Sequence, residues 1–131
     1  MTIRVVRDQQ GPMRHEVHIG DYKLTVDLGV ANGGEGSGPT PHDLYDAALG
    51  ACEALTALWY AKHKTIPVEG IEVAVERDAS QERAGIYRLS TQLTLTGTLS
   101  AAQREELLHV VRNCPIHKLM TEITTEISTE F

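Results

Sequence analysis

The stretch PHDLYDAALGACEALTALWYAKHK, residues 41–64, decides how the rest of the chain is read. Thr40 is a suitable N-cap, Pro41 suits the first helical position, and Asp43 and Asp46 lie where the positive end of a helix favours acidic side chains. From Ala47 to Ala61 the residues are mostly apolar, with Glu53 as the charged interruption. The spacing predicts one long helix from Pro41 to about Lys64, coated with Ala, Leu, Trp and Tyr nearly all round and needing cover on several sides. A chain of 131 residues offers limited cover, which points to a dimer. Gly50 costs about 1 kcal/mol against alanine inside a helix, so its place among Ala47, Ala48, Leu49 and Ala51 implies another backbone packing closely there. The apolar run falls short of the roughly 18 to 20 residues that a membrane span requires, so no transmembrane helix is expected.

Upstream of this helix, Ile3/Val5, Val17/Ile19 and Leu24/Val26/Leu28 alternate with polar neighbours, and Gly11-Pro12 and Gly20-Asp21 supply turns. An N-terminal meander of three strands follows. Residues 29–41 are the most glycine-rich stretch and read as a functional loop or connector. That stretch has no Gly-Lys-Ser/Thr ending and no GxGxxG after a clear strand, which argues against a phosphate loop. Downstream, Ile71/Val73/Val75 and Tyr87/Leu89/Thr91/Leu93/Leu95 predict a hairpin with one face on the helix. Ser100 and Gln103 make a capping box for a second helix ending near Arg112, and Pro115 stops or kinks it. A helical turn from Ile116 to Met120 precedes a last alternating strand, Ile123/Thr125/Ile127. The expected order is β-β-β-α-β-β-α-β in a single α+β domain over residues 1–131.

Composition narrows the function. Hydrophobic residues make up 41% and charged residues 23%, an ordinary soluble balance. With 12 Lys+Arg against 18 Asp+Glu the net charge is −6 and the basic residues are scattered, which argues against nucleic acid or an anionic membrane as partner. The N-terminus turns polar at Asp8-Gln9-Gln10 and lacks the apolar stretch of a secretory signal, so a cytoplasmic location is expected. Two cysteines in a reducing compartment are not a disulfide framework.

Those two cysteines occupy different settings. Cys52 lies mid-helix, with Tyr45, Ala48, Leu55 and Trp59 on or near its face. Cys114 ends the second helix, immediately before Pro115, where the backbone is irregular. The pair can close if the two helices cross. The alternative is that Cys52 is a small buried hydrophobe, the usual behaviour of a free cysteine. A reactive thiol has to be a thiolate, and the influence of a helix N-terminus is confined to the first turn, about three turns before Cys52. A cation is therefore required, and Arg14 on the N-terminal meander is the candidate, ahead of Arg4, Arg7, Arg88 and Lys62. A metal reading draws on Cys114 and His117 at a short spacing, with Cys52 and His42 completing a set of four. Zinc sites usually show two paired spacings, and one is present here. No serine occupies a GxSxG elbow.

Gly38-Pro39-Thr40-Pro41-His42-Asp43-Leu44, Ala47-Ala48-Leu49-Gly50-Ala51-Cys52 and Asn113-Cys114-Pro115-Ile116-His117-Lys118 resemble the OsmC/Ohr family of thiol-dependent peroxidases. The likeness covers almost the whole chain and looks closest to the OsmC-like branch. It implies an intertwined homodimer with the long helices at its centre and no cofactor. It also implies that Cys52 is peroxidatic, attacking an organic hydroperoxide to become a sulfenic acid. Cys114 then resolves it into a disulfide, which a dithiol such as dihydrolipoamide reduces. An apolar surround suits alkyl or fatty-acid hydroperoxides, with Tyr45, Leu55, Trp59 and His42 as candidate substrate contacts.

The resemblance has departures. Peroxidase members carry a glutamate ten residues before the peroxidatic cysteine, directly after a proline, and here that position is His42. Asp43 is the neighbouring carboxylate that can substitute. The family arginine comes from the N-terminal strands in one branch and from the glycine-rich loop in another; the loop here has none, and Arg14 lies within one position of the first placement. These departures motivate a rival reading, a non-catalytic OsmC-like protein that binds a small apolar or thiol-reactive ligand at the dimer interface.

Overall fold

A computed structural model describes all residues from Met1 to Phe131. The chain divides into two compact units, Met1–Tyr45 and Asp46–Phe131.

The first unit is the expected meander. Strands β1 (Ile3–Arg7), β2 (His15–Ile19) and β3 (Tyr22–Val26) form an antiparallel sheet in that order, with Val5 opposite Val17 and Val17 opposite Leu24. Gly20 takes a left-handed φ of 56° in the tight β2–β3 turn, a conformation open to glycine. The sheet is thinly covered: all of β1 is exposed, and Val17 and Val26 are the buried apolar residues. Strand β3 stops at Val26, before Leu28, because the next residue reorganises the backbone. Asp27 is 1% exposed, and its carboxylate accepts from the Leu28, Glu35 and Ser37 amides at 2.8, 3.2 and 3.0 Å and from Ser37 Oγ at 2.6 Å. One side chain thus folds the glycine-rich loop onto itself. The donors hold its pKa down to about 2, the Ser37 hydroxyl contributing most.

Helix α1 (Pro41–His63) begins with Thr40 and Asp43 in reciprocal capping contact: Thr40 N donates to Asp43 Oδ2 at 2.9 Å and Asp43 N to Thr40 Oγ1 at 3.2 Å. Its buried residues, Asp46, Leu49, Gly50, Glu53, Ala57 and Ala61, recur at helical spacing and make one face. That face meets the antiparallel hairpin of β4 (Gly70–Asp78) and β5 (Arg88–Thr96) in the second unit. The close neighbour at Gly50 is a β4 side chain rather than the expected backbone: an added Cβ there lies 2.8 Å from Val75 Cγ2 and 3.9 Å from Val73 O. The expectation of cover on several sides is not met within one chain, since Leu55 and Trp59 remain 67% and 61% exposed.

Thr65 ends the helix with a left-handed φ of 55° and turns Ile66 into a core with Ala61, Leu95 and Leu107. Helix α2 (Ala101–Val111) starts with the predicted capping box, Ser100 Oγ accepting from Gln103 N at 3.1 Å and Gln103 Oε1 from Ser100 N at 2.9 Å. A short helix α3 (Pro115–Thr121) follows directly, so the proline that stops α2 starts α3. One predicted element is absent. Ile123, Thr125 and Ile127 alternate as a strand does, but residues 123–131 form no ladder and are exposed, because alternation alone does not bring a segment to a partner edge. The observed order is β-β-β-α-β-β-α-α, an α+β fold without the last strand. No helix is long and apolar enough to cross a membrane.

Candidate active site

The second unit brings the two cysteines together. Mid-helix Cys52 is half-buried and Cys114 fully buried, and both are free thiols. Cys114 sits between α2 and α3 with extended backbone (φ −64°, ψ 149°), which Pro115 imposes on its predecessor. It is the N-cap of α3, its sulfur accepting from His117 N at 3.3 Å. The preceding amide of that turn, Ile116 N, donates instead to Cys52 Sγ at 3.5 Å. Consecutive amides of one turn thus serve the two sulfurs, and Thr56 Oγ1 is 4.0 Å from Cys52 Sγ. Burial pushes the Cys114 thiol up from its ordinary value; the neighbouring Cys52 and the charge of Glu53 add to the rise and the His117 amide opposes it.

Glu53 is the residue that sequence reading passed over. It appeared there as an interruption of an apolar run, and that interruption was the available signal. It is 5% exposed and accepts from Thr91 Oγ1 on β5 at 3.1 Å. Burial raises its pKa, against the Thr91 hydrogen bond and the nearby His117. Two turns earlier on the same face, buried Asp46 receives Arg77 Nε at 2.5 Å and the Tyr87 hydroxyl at 2.6 Å. Tyr87 is driven up to about 12 by burial and by Asp46.

The other predicted site residues have local settings of their own. Arg14 Nε lies 2.8 Å from Asp8 Oδ2 in the first unit, off the N–H direction, so the contact is an ion pair without an aligned hydrogen bond. Asp43 belongs to the capping contact with Thr40, and His42 and Tyr45 are exposed in the first two turns of α1. Leu55 and Trp59 are exposed three and seven residues beyond Cys52, with the Trp59 ring 4.0 Å from that of His63 between centroids. No three His, Cys, Asp or Glu side chains converge as a metal site would require.

The arrangement can perform thiol–disulfide chemistry: two sulfurs meet, one half-exposed and one fully enclosed at the start of a short helix. The family model for OsmC-like proteins matches residues 34–130, which contain both cysteines. No curated protein sequence matches the chain. Among solved structures, similarity extends to a protein from Psychrobacter arcticus 273-4 assigned to the osmotic stress and detoxification response, at 23% identity and TM-score 0.76 over 93% of this chain and 89% of that one. It extends also to an organic hydroperoxide resistance protein OsmC from Legionella pneumophila, at 23% identity and TM-score 0.65 over 93% and 90%. The organic hydroperoxide resistance protein OhrB of Bacillus subtilis matches at 22% identity and TM-score 0.61 over 93% and 92%.

Proposed function

Because the chain belongs to the OsmC family, we propose that it is a thiol-dependent peroxidase acting on organic hydroperoxides, with Cys52 peroxidatic and Cys114 resolving. The observation that carries this reading is the meeting of the two sulfurs at the start of α3, where Ile116 N and His117 N serve one sulfur each. The names of the Legionella and Bacillus structures supply the substrate class.

In this reading the Cys52 thiolate attacks a peroxide oxygen, an S–O bond forms and the O–O bond breaks. The leaving alkoxide takes a proton and departs as an alcohol, leaving a sulfenic acid. Cys114 then attacks the Cys52 sulfur, water leaves, and a disulfide remains for a dithiol such as dihydrolipoamide to reduce. Leu55 and Trp59, on the turns after Cys52, favour an apolar substituent on the peroxide, with Tyr45 and His42 as further candidate contacts. Arg14 is assigned as the activating cation and Asp43 as its orienting carboxylate on the sequence resemblance, and Arg14→Ala tests the assignment. The uncovered apolar residues of α1 support a homodimer.

The test is intact mass and free-thiol content of the reduced protein after an equimolar pulse of cumene hydroperoxide, with hydrogen peroxide alongside. Rapid loss of two hydrogens with the organic peroxide, absent in Cys52→Ser and Cys114→Ser, is the expected result. Thiols that persist for hours sink the reading and turn attention to ligand binding.

A further inference from the structure

Glu53 is a buried charged group that the two-step thiol chemistry leaves without a role. It follows Cys52 directly on α1 and is almost fully enclosed, although burying a carboxylate is costly and a single hydrogen bond, from Thr91 on β5, offsets only part of that cost. The bond from Ile116 N to Cys52 Sγ docks the Cys114–His117 segment at the adjoining position of α1. The carboxylate is thus set in a wedge between α1, β5 and the start of α3. Its titratable neighbours there are Cys52, Cys114 and His117, while β4 meets the preceding turn at Gly50 with the apolar side chains of Val73 and Val75.

We propose that Glu53 is a positioning residue for disulfide closure, its negative charge in this wedge governing how readily Cys114 attacks oxidised Cys52. The inference rests on the peroxidase reading above. In the closing step Cys114 gives up its proton and its sulfur forms the S–S bond, while the S–O bond of the Cys52 sulfenic acid breaks. The departing hydroxide gains a proton and leaves as water; the Cys114 sulfur is oxidised and the Cys52 sulfur reduced. Burial opposes the Cys114 thiolate, and the charge of Glu53 acts in the same direction. The resolving sulfur is thereby kept neutral at rest, and closure becomes faster as pH rises.

The test follows closure by acid quench and intact mass after one equivalent of cumene hydroperoxide, across about pH 6 to 10, a range that brackets ordinary thiol ionisation. In Glu53→Gln, which keeps an acceptor for Thr91 but no charge, the midpoint of the profile should fall by about 1 pH unit. Below the midpoint the thiolate fraction then rises about tenfold while each thiolate is about threefold less nucleophilic, so closure quickens by about threefold. Glu53→Asp, which keeps the charge, should stay near wild type. An unchanged midpoint in Glu53→Gln with a native melting curve overturns the inference. If glutamine unfolds the chain, Glu53→Leu combined with Thr91→Val replaces it, removing the charge together with its hydrogen-bond donor: the midpoint should fall in the same direction, and no shift is again contrary. A wild-type chain that never forms the disulfide defeats the peroxidase reading instead. The role of the charge is then read from ultraviolet titration of the Cys114 thiolate in Cys52→Ser, with and without Glu53→Gln, where a lower midpoint in the double variant supports it and an equal one overturns it.

Discussion

The backbone N–H of Ile116 donates to Cys52 Sγ at 3.5 Å across 64 residues of chain, and the next amide, His117, donates to Cys114 Sγ at 3.3 Å. Neighbouring residues are separated by about 3.8 Å between Cα atoms, so two sulfurs that accept from consecutive amides share one small volume. The start of α3 is therefore the meeting point of both cysteine motifs. It unites a residue held rigidly in mid-helix with one at a junction between helices.

If Cys114 resolves Cys52, its loss exposes the sulfenic acid to further oxidation. Excess cumene hydroperoxide should add one and then two oxygens to Cys114→Ser, while wild type stops at the loss of two hydrogens. Intact mass spectrometry over the time course reads the outcome. A variant that accumulates no added oxygen contradicts the assignment.

The Asp46 cluster makes a spectroscopic prediction. Of the four tyrosines, Tyr87 should ionise at about 12 because burial and the Asp46 carboxylate disfavour its phenolate. The folded value is raised, so its contribution to stability is complete below about pH 10, the ordinary phenol value, and is lost as pH rises through about 12. Asp46→Asn should bring the ionisation down, visible in ultraviolet titration. It should also destabilise the fold by about 1–3 kcal/mol through the loss of a buried acceptor charge for Arg77 and Tyr87.

Gly50→Ala sets helix propensity against packing. Alanine gains about 1 kcal/mol in a helix interior, but its Cβ would stand 2.8 Å from Val75 Cγ2, and overpacking of this kind costs about 1–3 kcal/mol. A net loss in denaturant midpoint is expected. Combining the change with Val75→Ala should show positive coupling, because the second truncation removes the clash; strict additivity would mean that the two do not meet.

Asp27 should anchor the glycine-rich loop in a pH-dependent way. Its folded pKa is lowered to about 2, so the stabilisation it supplies is present above the ordinary carboxylate value and lost as pH falls through about 2. Asp27→Asn should melt earlier than wild type near neutrality, with the gap closing as pH falls, and limited proteolysis should then cut within residues 29–37. A gap independent of pH counts against the anchor.

Local signals were legible in the sequence wherever a few neighbouring residues decide the structure. The Ser100/Gln103 box, the Thr40 cap before Pro41, the meander and the hairpin periodicities all act within about one turn or one strand pair, and each element formed. The two cysteine motifs were equally visible, and with them the family. Tertiary structure decided what depends on chain path. It put Cys52 and Cys114 at one turn, enclosed Glu53 against Thr91, and used Val75 to explain Gly50. It also withheld the last strand, since alternation of Ile123, Thr125 and Ile127 specifies two faces but cannot supply the neighbouring edge whose N–H and C=O groups make a strand. Pattern resides in the residues themselves, whereas proximity exists only once distant segments have paid the entropy of meeting.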